Sequence, residues 1–180
     1  MGKERKDFMN AAIALIPFVL IRVFLFQLLD KNRYNKAQKF APLEKNKQGY
    51  YIIYQFCQLL LFILPFFNRL QLSNGLEYLG VFFYIVGLVI IGQSIYSFAQ
   101  TKSETFSQNG IYRFSRHPMY VGYFIFYLGM GFLMASYVYL ILLMIFQICA
   151  HQIILAEEKW CLETFGVSYE NYMKKVRRYL

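Results

Sequence analysis

Long apolar segments separated by short polar ones dominate this sequence. A helix needs roughly 20 mainly apolar residues to cross a bilayer, and five segments meet or approach that length. The predicted spans cover about residues 8–29, 50–68, 78–99, 119–134 and 137–155. The pattern therefore predicts an all-α integral membrane protein with about five transmembrane helices.

The last two spans come from one apolar run, residues 119–150, which is too long for a single untilted helix. We predict a helical hairpin there, with its turn near Ala135 and Ser136. A hairpin returns the chain to the membrane side where it started. The polar residues at the two ends of the run, His117 and Glu157, are therefore expected to lie close together.

The residues after the hairpin predict an amphipathic C-terminal helix. Gly166 is expected to end the preceding helix, and Ser168 is expected to cap the next one. The apolar stripe of that helix comprises Tyr169, Tyr172, Met173 and Val176. We expect this helix to lie on the membrane surface over the polar ends of the hairpin.

Composition supports a single membrane domain over residues 1–180. Charged residues make up 16% of the chain, against about 25% in soluble domains. The net charge of +9 lies in polar loops between apolar runs, which favours positive-inside topology over nucleic-acid binding. Most Lys and Arg residues fall on the side of the loop at residues 30–49, so this side is predicted to be cytoplasmic. The three cysteines lack CxxC spacing, and we predict no metal site.

The first polar segment of interest, the Arg-His-Pro segment, covers residues 109–122 (NGIYRFSRHPMYVG). Pro118 suits the first turn of a helix and disfavours the helical conformation at His117. A helix that starts at Pro118 leaves N–H groups without partners, and Arg113, Arg116 and His117 lie beside them. This arrangement predicts an anion-binding site.

The second polar segment, the Glu-pair segment, covers residues 156–172 (AEEKWCLETFGVSYENY). Its adjacent Glu157 and Glu158 lie about 100° apart on a helix that is leaving the apolar region. Their carboxylates can accept hydrogen bonds from ribose hydroxyls or hold a cation. A stripe at helical spacing favours Glu158 as the inward-facing member. That stripe comprises His151, Ile154, Glu158, Leu162 and Phe165.

Between Gly110 and Val176 the chain resembles the C-terminal half of the membrane methyltransferases. The motifs that carry the resemblance are Gly110-x-Tyr112, Arg116-His117-Pro118-x-Tyr120-x-Gly122, Gly129, Glu157-Glu158, Leu162, Phe165-Gly166 and Tyr169-x-x-Tyr172. That superfamily includes isoprenylcysteine carboxyl methyltransferase and the phospholipid N-methyltransferases. The resemblance implies S-adenosylmethionine as the cofactor, bound within residues 109–178.

The resemblance also implies which residues bind the cofactor. They are Tyr112, Arg116, His117, Pro118, Tyr120, Gly122, Glu157 and Glu158. By charge we assign Arg116 and His117 to the cofactor carboxylate, and one of the two glutamates to its ribose or ammonium group. Gly122 is expected to permit close approach of the cofactor. The catalytic candidates are Arg116, His151 and Glu158, with His151 either a general base or a helix-end histidine that faces lipid headgroups.

These expectations favour methyl transfer to a lipophilic acceptor, first the carboxylate of an isoprenylated cysteine and second a phospholipid amine. The expected partners are such an acceptor and membrane lipids. An NADPH-dependent enzyme similar to sterol reductases is an alternative, because the basic cluster at 174–178 can hold a 2′-phosphate. A scaffold without enzymatic activity is another, in which the polar segments only anchor the membrane edge.

Arg22 interrupts the first predicted span and has two interpretations. Arginine within a membrane segment is a candidate for function. Arg22 is also about seven residues, or roughly 10 Å, from the end of the span, so its side chain can reach the membrane surface by snorkelling.

Overall fold

The computed structural model describes residues 9–27, 48–73, 75–101 and 106–179, without the side chains of residues 25–27. Its α-helices are α1 (Leu15–Gln27), α2 (Gln48–Ile63), α3 (Gly75–Ala99), α4 (Pro118–Leu133), α5 (Tyr137–Phe165) and α6 (Val167–Lys175). Short 3₁₀ helices cover Ala11–Ala14, Leu64–Phe67 and Gly110–Arg113. The described ranges contain no β-strand, which confirms the predicted all-α class. Most of the basic loop at 30–49 lies outside them.

Three described helical segments are long and apolar enough to cross a membrane: Gln48–Phe67, Gly75–Ala99 and Tyr137–Phe165. The first and fourth predicted spans correspond to shorter apolar helices, Ala11–Phe24 and Pro118–Leu133. Sixteen residues of α4 extend about 24 Å, less than the roughly 30 Å hydrocarbon thickness. The 29 residues of α5 extend about 43 Å. The C-terminal part of α5 therefore continues beyond the predicted span at 137–155.

Helices α3 and α4 pack with their backbones in close contact because glycines line the contact. A Cβ atom at Gly87 would lie 2.4 Å from the backbone nitrogen of Phe126, and one at Gly129 would lie 2.4 Å from that of Tyr84. Small residues allow this approach between membrane helices. At Gly122 a Cβ would lie 2.8 Å from the side chain of Ile91. Gly122 therefore allows α3 to pack closely against α4, and its expected contact with the cofactor stays a prediction.

The predicted hairpin is present in the structure, with α4 ending at Leu133 and α5 starting at Tyr137. Ala135 has a positive φ of 47°, and the Ser136 hydroxyl caps α5 by accepting a hydrogen bond from the Tyr139 N–H. Helix α2 packs beside α5, and the Tyr139 hydroxyl donates to the Leu61 carbonyl at 3.0 Å. These contacts fix the end of the bundle opposite to Pro118.

The C-terminal helix α6 follows α5 after a sharp turn at Gly166, whose φ is 51°. The Gly166 N–H donates to Leu162 O at 2.9 Å, which confirms the predicted cap. Our prediction for Ser168 is wrong, because α6 begins at Val167 and Ser168 lies inside its first turn. Tyr169 and Tyr172 are buried, as the apolar stripe predicted.

Candidate functional site

The Arg-His-Pro segment and the Glu-pair segment meet at one end of the helix bundle. Pro118 occupies the first turn of α4, as predicted, and His117 before it has a non-helical conformation with φ −127° and ψ 53°. The Arg116 side chain reaches α5, where its Nη2 lies 2.8 Å from Glu158 Oε1 and its Nε donates to the same oxygen at 3.0 Å. The hairpin thus brings residues 42 positions apart into direct contact.

Glu158 is the centre of a buried ionic cluster. Arg178 donates to Glu158 Oε2 from Nε at 3.0 Å and from Nη2 at 2.8 Å. His117 Nε2 lies 3.3 Å from Glu158 Oε1. Burial opposes ionisation of Glu158, but the contacts with His117 and Arg178 and the charge of Arg116 outweigh it and lower the pKa of Glu158 to about 2. Glu158 is therefore a carboxylate at neutral pH.

Glu157 faces the same segment from a neighbouring position on α5. Its Oε1 accepts a hydrogen bond from the Tyr120 hydroxyl at 2.8 Å, and its Oε2 lies 3.6 Å from His117 Nδ1. Burial raises the pKa of Glu157, and His117 and Tyr120 partly oppose that shift. The Glu157 side chain is 24% exposed, against 5% for Glu158. Glu157 is thus the more accessible carboxylate.

The chain segment after α6 is fastened to the Arg-His-Pro segment by backbone hydrogen bonds. The N–H groups of Arg116 and His117 donate to the carbonyls of Arg177 and Arg178 at 3.0 and 3.3 Å. The Arg116 Nη1 atom donates to the carbonyls of Met173 and Val176 at 3.1 and 3.0 Å. Arg116 therefore holds Glu158 and the C-terminal segment together.

Sequence reasoning missed Arg178, which entered only as part of a basic cluster. A usable signal existed, because a carboxylate predicted to be buried needs cationic partners. Arg178 follows α6 closely enough in sequence for the chain to turn back to Glu158.

His151 is connected to the same C-terminal segment. Its Nδ1 lies 2.5 Å from the hydroxyl oxygen of Tyr179, the residue after Arg178.

The other predicted site residues have different surroundings. Tyr112 is buried, and its carbonyl accepts a hydrogen bond from the Tyr172 hydroxyl at 2.6 Å. Phe106 packs against Tyr172 with ring centroids 5.2 Å apart. Tyr112 thus joins the Arg-His-Pro segment to α6. Within the described residues no group of three His, Cys, Asp or Glu side chains is arranged to hold a metal ion.

One polar atom in the cluster has no hydrogen bond. His117 Nε2 is buried, and its short distance to Glu158 does not have hydrogen-bond geometry. A buried polar atom without a partner costs about 1–3 kcal/mol, so such atoms are uncommon unless a ligand or water meets them. The cluster thus contains cationic donors, an accessible carboxylate and a ring nitrogen with unused bonding capacity.

Comparison with known proteins identifies the family of this chain. A family model described as phospholipid methyltransferase matches residues 62–168, which is more than half of the chain. The protein-S-isoprenylcysteine O-methyltransferase of Schizosaccharomyces pombe is 34% identical over 122 residues, or 64% of this chain and 51% of that protein. The chain thus spans about half the length of this relative. Arg116, His117 and both glutamates lie within the matched range, and the chain belongs to the phospholipid methyltransferase family.

Proposed function

We propose that this protein is a multi-pass membrane methyltransferase that uses S-adenosylmethionine and methylates a lipophilic acceptor. The observation that carries the proposal is the junction of the Arg-His-Pro segment with the two carboxylates at the end of an apolar helix bundle. Family membership supports the same reaction class. The positive-inside pattern of Lys and Arg supports a cytoplasmic position for this junction.

The residues present fit the polar groups of S-adenosylmethionine. This cofactor has a carboxylate, an ammonium group, a sulfonium and two ribose hydroxyls. Glu157 is suited to the hydroxyls or the ammonium group because its carboxylate is accessible and has acceptor capacity beyond its bond to Tyr120. His117, with its unbonded Nε2, and Arg178, whose side chain is 33% exposed, are suited to the carboxylate.

Arg116 and Glu158 have a different role in this proposal from the one the sequence suggested. Arg116 directs its donors to Glu158 and to two backbone carbonyls, so little of its bonding capacity is left for a ligand. Glu158 likewise accepts from both arginines. We therefore assign both residues to positioning, because they hold His117 and Arg178 in place around the cofactor.

When bound, S-adenosylmethionine supplies a methyl group whose carbon forms a bond to the acceptor nucleophile while its bond to sulfur breaks and sulfur keeps the electron pair. The protein contributes position and exclusion of water. In this proposal the buried ionic cluster and helix α6 keep bulk water from one side of the cofactor. The apolar helices keep it from the other side.

Two acceptors have separate support. The name of the Schizosaccharomyces pombe relative favours the carboxylate of an isoprenylated cysteine, and the family description favours a phospholipid amine. A lipid tail on either acceptor can enter between the apolar helices from the bilayer. The NADPH alternative has less support, because both comparisons name methyltransferases.

Cofactor titration of the detergent-solubilised protein tests the proposal. S-adenosylmethionine and S-adenosylhomocysteine are expected to raise the unfolding temperature by mass action, and NADPH is expected to have no effect. Glu157→Gln should weaken binding about 10- to 150-fold, the range for a lost hydrogen bond to a charged group. Lys174→Ala is the control, since Lys174 pairs only with exposed Glu170 among the ion pairs of the described chain. A shift with NADPH and none with either methyl-cycle compound would defeat the proposal.

A further inference from the structure

Arg22 on α1 is turned toward the helix bundle. Its guanidinium carbon lies 5.7 Å from the centroid of the Tyr123 ring on α4, within the distance of a cation–π contact. Tyr123 is buried, with 8% of its surface exposed. Arg22 itself is half-buried. Of the two interpretations of Arg22, this contact favours a function inside the bundle over snorkelling to the membrane surface.

A group of tyrosines connects Arg22 with the cofactor-binding cluster. Tyr120 and Tyr123 are three residues apart on α4, so their side chains are neighbours on one helix face. The Tyr120 hydroxyl donates to Glu157 at 2.8 Å, whereas the Tyr123 ring contacts Arg22. The residues that contact Arg22 and Glu157 are therefore about one helical turn apart on α4.

We propose that Arg22 and Tyr123 form the subsite that binds the anionic group of the lipophilic acceptor. The inference rests on the proposed methyl transfer and extends it to recognition of the acceptor. A guanidinium group presents planar paired donors that match a carboxylate or a phosphate. Both candidate acceptors carry such a group, the carboxylate of a prenylated cysteine and the phosphate of a phospholipid. The ligand class is thus an oxyanion attached to a lipid tail.

Tyr120 and Tyr123 separate two groups of opposite charge, which suits two substrates of opposite charge. The carboxylate of Glu157 is at one end and complements the cationic part of the cofactor. The guanidinium of Arg22 is at the other end and complements the anionic acceptor. Aromatic rings and phenol groups between them provide a surface of low polarity, on which electrostatic attraction is stronger than in water. Residue 22 precedes the matched range 62–168, so the family assignment gives it no role.

Binding measurements with matched pairs of probes test this subsite. The first pair is N-acetyl-S-farnesylcysteine and its uncharged carboxamide, and the second is dioctanoylphosphatidylethanolamine and dioctanoylglycerol. Each is titrated into the full chain in detergent with S-adenosylhomocysteine present. The wild type should prefer the charged member of one pair by about 10- to 100-fold. The pair that shows the preference identifies the source of the oxyanion.

Variants then assign the preference to Arg22. Arg22→Gln should remove the preference for the charged probe and leave affinity for S-adenosylhomocysteine within about twofold of wild type. Arg22→Lys should keep part of the preference because it retains the charge without the planar fork. Arg69→Gln is the matched control, since Arg69 is exposed and lies in the connection between α2 and α3, near the hairpin end of the bundle. The Arg69→Gln variant should bind the charged and the uncharged probe with the same affinities as the wild type.

Several results would overturn the inference. Equal affinity of the wild type for charged and uncharged members of both pairs would do so without any variant. A wild-type preference for the charged probe in Arg22→Gln would also overturn the inference. Loss of S-adenosylhomocysteine binding in that variant would overturn it too, because Arg22 would then be structural. If the wild type binds S-adenosylhomocysteine, the proposed function survives these failures. If it binds neither S-adenosylhomocysteine nor any acceptor, both proposals fall.

Discussion

The ionic cluster around Glu158 predicts a specific local effect of the substitution Glu158→Gln. The change keeps the shape of the side chain and removes the negative charge that faces Arg116 and Arg178. The Glu158 and Arg116 side chains are only 5% and 7% exposed, so this pair belongs to the buried class. Removing one partner of a buried pair costs about 3–5 kcal/mol. The Arg178 pair adds less, because the Arg178 side chain is 33% exposed and solvent screens it.

The consequence should be localised where the C-terminal segment meets the Arg-His-Pro segment. The N–H groups of Arg116 and His117 donate to Arg177 and Arg178, and the orientation of Arg116 depends on Glu158. In Glu158→Gln these hydrogen bonds should open more often. We expect faster amide exchange at residues 116 and 117, together with lower thermal stability in detergent.

Hydrogen–deuterium exchange read by mass spectrometry is the appropriate assay, with peptides that cover residues 113–120. Glu157→Gln is the matched control, because Glu157 contacts Tyr120 and the His117 ring but neither arginine among the described side chains. Its exchange at residues 116 and 117 should stay near that of the wild type. Unchanged exchange and unchanged stability in Glu158→Gln would refute the argument that this carboxylate holds the C-terminal segment.

Two further predictions concern acid stability and helix packing. The pKa of Glu158 falls from 4.5 to about 2 on folding, so its stabilising contribution is complete above about pH 4.5 and is lost as the pH falls toward 2. The stability difference between wild type and Glu158→Gln should therefore shrink on acidification, and a constant difference in thermal unfolding across pH would contradict this. Gly129→Ala should destabilise the protein by about 1–3 kcal/mol because its Cβ would collide with the backbone of Tyr84. Gly75→Ala should leave stability unchanged, because a Cβ at Gly75 meets open space. Equal unfolding temperatures for Gly129→Ala and the wild type would exclude a packing role for Gly129.

Local chemistry made several features predictable from the sequence. Pro118 starts α4 because its ring fits a first helical turn, and Gly166 ends α5 because it adopts a positive φ without strain. The turn at Ala135 and Ser136 followed from the limit that membrane thickness sets on one helix. Each of these depends on a few neighbouring residues, so sequence was sufficient.

Features that depend on distant contacts were harder to predict. Arg178 binds Glu158 only because the chain returns after α6, and periodicity within one helix carries no information about that return. The packing of Gly122 against α3 was hard to predict for a related reason. A glycine that admits a ligand and a glycine that admits a neighbouring helix look the same in sequence, and only the position of Ile91 distinguishes them.

The length of α5 links the site to the thickness of the surrounding membrane. Helix α5 carries both carboxylates about 30 Å from the hairpin turn, whereas α4, whose first residues belong to the Arg-His-Pro segment, is only about 24 Å long. A thinner or thicker bilayer is accommodated by helix tilt, and a given tilt displaces the far end of a long helix more than that of a short one. We therefore expect the acyl-chain length of the host membrane to influence the register between Arg116 and Glu158.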